Sequence, residues 1–170
     1  SHLMIPVSTP DQHVIDFGAH IYPEEFLPGS EDNPDADLND MLGPIQYDPE
    51  ELLDRMDGGG VDAAVLSQPY YMGYSDAELV AEANDALLSI VEYEDRFYGL
   101  AALPVEAGGE AAAEEFERCL EAGYHGGGLE TESGGIELTD DELEPVFEVA
   151  EEHDAPLFVH PKLDDSVHPD

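Results

Sequence analysis

Short apolar runs alternate along this chain with capped, amphipathic stretches, and no other feature narrows its possible folds as far. Residues 13–19 (HVIDFGA), 61–67 (VDAAVLS), 96–103 (RFYGLAAL), 126–130 (GGGLE) and 156–160 (PLFVH) read as strands. Helix signals lie between them. Asp48-Pro49-Glu50-Glu51 supplies an N-cap, a proline at the first helical position and early acidic charge. Leu52, Leu53 and Met56 follow on one face, and Gly58-Gly59-Gly60 ends the helix. Ser75-Asp76-Ala77-Glu78 is a capping-box pattern ahead of Leu79, Ala83, Leu87 and Ile90. Residues 108–122 align Ala112, Phe116, Cys119 and Leu120. Thr139-Asp140-Asp141-Glu142 opens a last helix carrying Leu143, Phe147 and Ala150. Strands separated by helical crossovers imply parallel pairing with right-handed connections. Two α/β architectures fit: a five-stranded doubly wound sheet, or a partial (β/α)8 TIM barrel of the first five strands and four helices.

Charge limits the partners. The chain carries 42 acidic residues against four basic ones, a net charge of -38. Nucleic acid and anionic membrane are therefore disfavoured. High charge with low hydrophobicity would also fit disorder. Against that, 42% of residues are hydrophobic and they are periodic, so a folded, salt-adapted protein is the better reading. At ionic strength near 1 M the Debye length shrinks to about 3 Å, which screens repulsion among surface carboxylates. Cys119 is the only cysteine, so no intrachain disulfide forms. No apolar run has the length of a membrane span and no signal peptide opens the chain, which points to a cytoplasmic protein. Ser1-His2-Leu3 ahead of Met4 reads as a tag scar, and residues 1–12 as an extension before a domain over 13–170.

Two histidines occupy matched positions. His20 follows the first strand and His160 ends the fifth. In parallel α/β folds ligands bind at the carboxyl ends of strands. Neutral imidazole is the commonest metal ligand near pH 7. Either histidine alone reads as a loop cap or a backbone partner, but the pair points to one site. Regular alternation would put Asp16, Gly18 and His20 on one face. His13, His125, His153 and His168 sit at a strand start, a turn, a helix end and near the chain end, and read as structural or solvent-facing. Tyr70, Tyr71 and Tyr74 either line a pocket or pack as a surface loop. Gly126-Gly127-Gly128 lacks the GxGxxG spacing of a phosphate loop. This also disfavours a flavodoxin-like binding module.

The stretch "VIDFGAHIYPEEF" resembles the opening of the amidohydrolase-2 family of metal-dependent hydrolases and decarboxylases, which includes aminocarboxymuconate-semialdehyde decarboxylase. "GVDAAVLSQP", "AND", "EDRFYGLAALP", "AGYHGGGLE" and "ELEPVFEVAEEHDAPLFVHP" follow in the family's order and spacing. The resemblance runs from about residue 13 and implies the barrel rather than the doubly wound sheet. It implies a divalent metal, zinc first and manganese second, with His20 and His160 as ligands and Asp16 as support. The implied activity is decarboxylation or hydrolysis of a small carboxylated substrate, with no catalytic residue assigned.

Two departures open an alternative. Gly18 stands where the family carries the first histidine of Asp-x-His-x-His. The chain also stops shortly after its fifth strand, before the family's later acid–base histidine and metal-binding aspartate. Catalytic zinc sites generally use three protein ligands and a water. The alternative is thus a non-catalytic remnant or interaction protein without its metal. A sheet cut at five strands has two open edges, which favours a homo-oligomer.

Overall fold

A computed structural model describes residues 12–27 and 47–161. The tag scar, residues 28–46 ahead of the Asp48 cap, and His168 lie outside those residues. The described part comprises β1 (Ile15–His20), α1 (Pro49–Gly59), β2 (Ala63–Ser67), α2 (Ala77–Tyr93), β3 (Phe97–Ala102), α3 (Gly109–Ala122), β4 (Gly126–Glu130), the short strands β5 (Glu132–Ser133) and β6 (Ile136–Glu137), α4 (Glu144–Glu152) and β7 (Leu157–His160). The main sheet is parallel throughout, in the order β1-β2-β3-β4-β7. Sequential order without reversal excludes the doubly wound alternative and gives the first half of a (β/α)8 barrel.

Helix boundaries follow their capping chemistry. The Asp48 side chain accepts a hydrogen bond from the Glu50 amide at 2.9 Å. Gly60, at φ 70°, closes α1 in the left-handed conformation. At α2 the cap is Asp76 rather than Ser75, with the Leu79 amide 3.1 Å from its carboxylate. Thr139 caps nothing in the expected way: a single 3-10 turn, Asp141–Leu143, leads into α4. The buried face of that helix is Leu143, Val146 and Val149, while Phe147 is exposed.

The main core lies between the sheet and its helices. Leu66, Leu87, Val91, Ala101, Leu103, Phe116 and Leu129 are buried there. A second cluster sits above the carboxyl ends of β1 to β3 and holds Tyr22, Tyr71, Met72, Val80, Ala83 and Ala102. Of the two readings of Tyr70, Tyr71 and Tyr74, lining a pocket or packing as a loop, the ring contacts match the second: the three rings meet one another and Tyr71 also meets Phe26. Arg96 and Arg118, two of the four cations, act as clamps. Arg96 binds Asp57 and the carbonyls of Val61 and Asp62. Arg118 grips both oxygens of Glu115 and reaches Asp85.

The β4–α4 connection contains a feature the strand count missed. β5 and β6 form a hairpin whose two-residue turn is Gly134-Gly135, both at positive φ, 57° and 86°. That is the geometry of a type I′ turn. It folds down onto the loop after β3, where a Cβ on Gly134 would lie 2.3 Å from the Glu106 carboxylate.

Candidate functional site

The site is built from the two ends of the sheet. Laid flat, five strands would separate β1 from β7 by four spacings, about 19 Å. Instead the His20 and His160 ring centroids lie 5.5 Å apart, with planes inclined at 52°. A sheet curved like part of a barrel turns side chains of its first and last strands toward each other in this way. The expected pair is therefore a physical pair, at the carboxyl mouth of the half-barrel.

Each imidazole has a distinct setting. His20 pairs with Ser67 across β1 and β2, and His160 with Glu130 across β4 and β7. Paired positions share a face of the sheet, so Ser67 and Glu130 flank the histidines on the same side. His160 is half-buried, and its Nδ1 is buried with no hydrogen-bond partner among the described residues. A buried, unsatisfied ring nitrogen is costly and calls for a ligand. His20 is more open to solvent. Even so, atoms packed around its ring lower its pKa, the nearby His160 lowers it further, and the Asp16 carboxylate opposes both. The neutral form, the one that ligates metals, is thereby favoured at His20.

Asp16 is not where simple alternation puts it. Between Asp16 and Ala19 the pairing register slips: Asp16 faces Ala64 while Ala19 faces Leu66 and His20 faces Ser67. Three steps on β1 match two on β2, a β-bulge. Its ladder partner Ala64 belongs to the helix-side core, opposite in phase to Ser67. The Asp16 carboxylate turns instead to accept the Gly18 amide hydrogen at 2.9 Å. Its link to His20 is electrostatic. Among the described residues no group of three or more His, Cys, Asp or Glu is arranged to hold a metal ion.

The other described histidines, His13, His125 and His153, make contacts away from this pair. His125 Nδ1 accepts from the Gly99 amide at 3.2 Å, and its ring stands edge-on to Tyr98. His153 lies 3.5 Å from Glu117, and His13 lies 3.9 Å from Asp62. A cavity of about 770 Å³ opens at the opposite end of the sheet, lined by His13, Asp57, Asp62, Asp95, Arg96 and Tyr98. It is the amino-end floor of the half-barrel and touches neither His20 nor His160.

The site is supported by a polar cluster that sequence reasoning overlooked. Asn84, fully buried on α2, donates to the Ala102 carbonyl and accepts from the Ala102 amide, both at 2.9 Å. β2 pairs with β3 only as far as Leu66 and Gly99. Asn84 therefore takes over the ladder where β2 has ended, holding the mouth end of β3. Its amide also donates to Glu115 at 3.0 Å. Burial alone would raise the Glu115 carboxyl, but bonds from Arg118, Asn84 and Cys119 hold it below the usual carboxylate range. The visible signal was a polar residue in phase with Val80, Leu87 and Val91 on a helix face otherwise apolar.

The amidohydrolase family model matches residues 15–168. The chain belongs to the amidohydrolase family. It is 35% identical over 123 residues to the 2-amino-3-carboxymuconate-6-semialdehyde decarboxylase of Dictyostelium discoideum, covering 68% of this chain and 34% of that enzyme. Among solved structures, 5-carboxyvanillate decarboxylase from Novosphingobium aromaticivorans, in complex with manganese and a nitrobenzoic acid, superposes with a TM-score of 0.75 at 23% identity. That match covers 92% of this chain and 53% of the decarboxylase. 2,6-Dihydroxybenzoate decarboxylase in complex with 2,6-dihydroxybenzoate superposes with a TM-score of 0.71 at 24% identity, covering 91% of this chain and 51% of that one. The chain thus spans about half the length of these solved barrels and a third of the Dictyostelium enzyme. Among the described residues no helix is long and apolar enough to cross a membrane.

Proposed function

We propose that residues 13–170 are the first part of the barrel of a metal-dependent decarboxylase acting on a small carboxylated, unsaturated or aromatic substrate. The observation that carries this reading is the contact between His20 and His160 at the mouth, with one ring nitrogen of His160 buried and unpartnered among the described residues. The decarboxylases among its relatives favour carbon–carbon cleavage over hydrolysis.

The two imidazoles fit part of a metal site, both being nitrogen donors on rigid strand ends. When bound, zinc or manganese would polarise a substrate oxygen and neutralise its carboxylate. His20 and His160 would hold it, and Asp16 steadies β1 by capping the Gly18 amide and biases His20 through its charge. Tyr22, Tyr71 and Met72 form an apolar shoulder beside the mouth, which excludes water from that side of a bound substrate. The residue that would protonate the carbon left by departing carbon dioxide is unassigned among those described.

A second reading, a folded remnant that has lost its chemistry, is favoured by Gly18 and by the lack of a three-donor cluster among the described residues. Carbon dioxide release separates the two. The protein, supplied with manganese or zinc, is incubated with 2,6-dihydroxybenzoate and 5-carboxyvanillate. Release that is abolished in His160→Ala supports the decarboxylase, and no release above the metal-only blank under any metal supports the remnant.

A further inference from the structure

The position of His160 depends on a single neighbouring strand. β7 is the last strand of the main sheet, so among the described residues β4 is its one strand partner. The ladder ends at the pair Glu130 and His160. One bond lies beyond it, from the Thr131 amide to the His160 carbonyl at 3.1 Å. Where residues 130 and 131 sit therefore decides where the His160 ring sits.

Contacts from the loop after β2 bracket those two residues. On one side the Met72 methyl fills the space that a side chain on Gly128 would take, for a Cβ there would lie 2.3 Å from it. On the other side Gly73 abuts Ser133 of β5. A Cβ on Gly73 would lie 2.2 Å from the Ser133 hydroxyl and 2.8 Å from the Ser133 Cβ. Real Cβ atoms do not sit this close to their neighbours. Gly73 has little room to yield. It is at φ 79°, its amide donates to the Leu103 carbonyl at 2.8 Å, and its carbonyl accepts from the Glu106 amide at 3.0 Å. Ser133 is buried, and its hydroxyl has no hydrogen-bond partner among the described residues. A buried hydroxyl without a partner is costly. What Ser133 supplies here is its fit against Gly73 rather than a bond.

We propose that Gly73 and Ser133 are positioning residues for His160. The loop after β2 fixes the start of the β5–β6 hairpin, the hairpin fixes Thr131, and Thr131 fixes the His160 carbonyl and with it the ring that meets His20. The bearing of this on catalysis rests on the reading of His160 as a site residue, whereas the positioning itself needs no metal.

Nuclear magnetic resonance on the metal-free chain in molar KCl, isotope-labelled at its histidines and backbone amides, tests this. His20→Gln and His160→Gln assign the two rings. The native chain should show a ring-to-ring cross-peak between His20 and His160, whose centroids lie 5.5 Å apart, and slow solvent exchange at the Thr131 amide. Gly73→Ala, Ser133→Gly and their combination are compared with it, with circular dichroism as the check on folding. Gly73→Ala is expected to lose the cross-peak and to exchange the Thr131 amide at least tenfold faster. Ser133→Gly should speed that exchange at least tenfold while the Leu66 and Leu100 amides keep their native rates. The combination swaps the two sizes across the contact and should restore both the cross-peak and the slow exchange. A native chain without the cross-peak, a folded Gly73→Ala with native spectra, or a Ser133→Gly with native Thr131 exchange overturns the proposal. So does a folded double variant no better than Gly73→Ala, and if Gly73→Ala does not fold, Ser133→Gly decides alone. Carbon dioxide release on the same preparations keeps the two readings apart: a native chain that releases none sinks the decarboxylase and leaves the spectra to judge the positioning.

Discussion

Asn84 offers the most quantitative test of how the mouth is held. Replacing it with leucine keeps the volume roughly constant and leaves little room for water to restore the lost bonds. Three interactions go: the Ala102 amide and carbonyl, each at 2.9 Å, and the donation to Glu115 at 3.0 Å. All lie in fully or nearly fully buried surroundings. A buried group left unsatisfied costs about 1–3 kcal/mol, and two orphaned backbone groups plus a weakened carboxylate come to about 3–6 kcal/mol. Burying leucine in place of an amide returns about 1–2 kcal/mol, leaving a net loss of about 2–4 kcal/mol. Against a typical total of about 5–15 kcal/mol this is a large fraction. Urea unfolding in molar KCl, followed by circular dichroism, gives the number through the shift in midpoint at constant slope. Asn84→Asp should cost at least as much, because it sets a second carboxylate against Glu115. A loss below about 1 kcal/mol in both variants would refute the claim that Asn84 replaces β2 in the ladder of β3.

Two further expectations concern pH and salt. Burial is the first cause that pushes Tyr22 and Tyr71 up to about 12. Their unfolded values lie near 10, so the stability they contribute is fully present below about 10 and is lost as pH rises toward 12. Tyr22→Phe should flatten that alkaline loss of stability, and an unchanged slope would show that Tyr22 ionises normally. With 42 carboxylates and four cations, the fold should gain stability as salt rises. Thermal unfolding in dilute buffer against molar KCl measures this, and a melting temperature that does not move would remove charge screening from the account.

What could be seen in the sequence was whatever depends on local pattern. The five main strands and the α1 cap at Asp48 follow from alternation and capping chemistry, and the structure carries them. So did the pairing of His20 with His160, because both sit where parallel strands end. What stayed hidden depends on tertiary geometry. The bulge between Asp16 and Ala19 arises from how β1 meets β2, and it reverses the face of Asp16. Asp76 rather than Ser75 caps α2 because entry to the helix falls one residue later, a choice both side chains could have made. Phe147 is apolar and in phase, yet Val146 and Val149 win the buried face of α4. The β5–β6 hairpin was legible in Gly134-Gly135 between Ser133 and Ile136, and its very short strands concealed it. Asn84 showed only as an anomaly, a polar residue in an apolar stripe, and its partners lie 18 and 31 residues away.

The most direct measurement is anomalous diffraction at the manganese edge from crystals of the protein grown with manganese. The account predicts one strong peak at the mouth of the half-barrel, within bonding distance of a ring nitrogen of His20 and one of His160. A metal bound elsewhere, or a mouth without a peak while the two rings keep their contact, would contradict it.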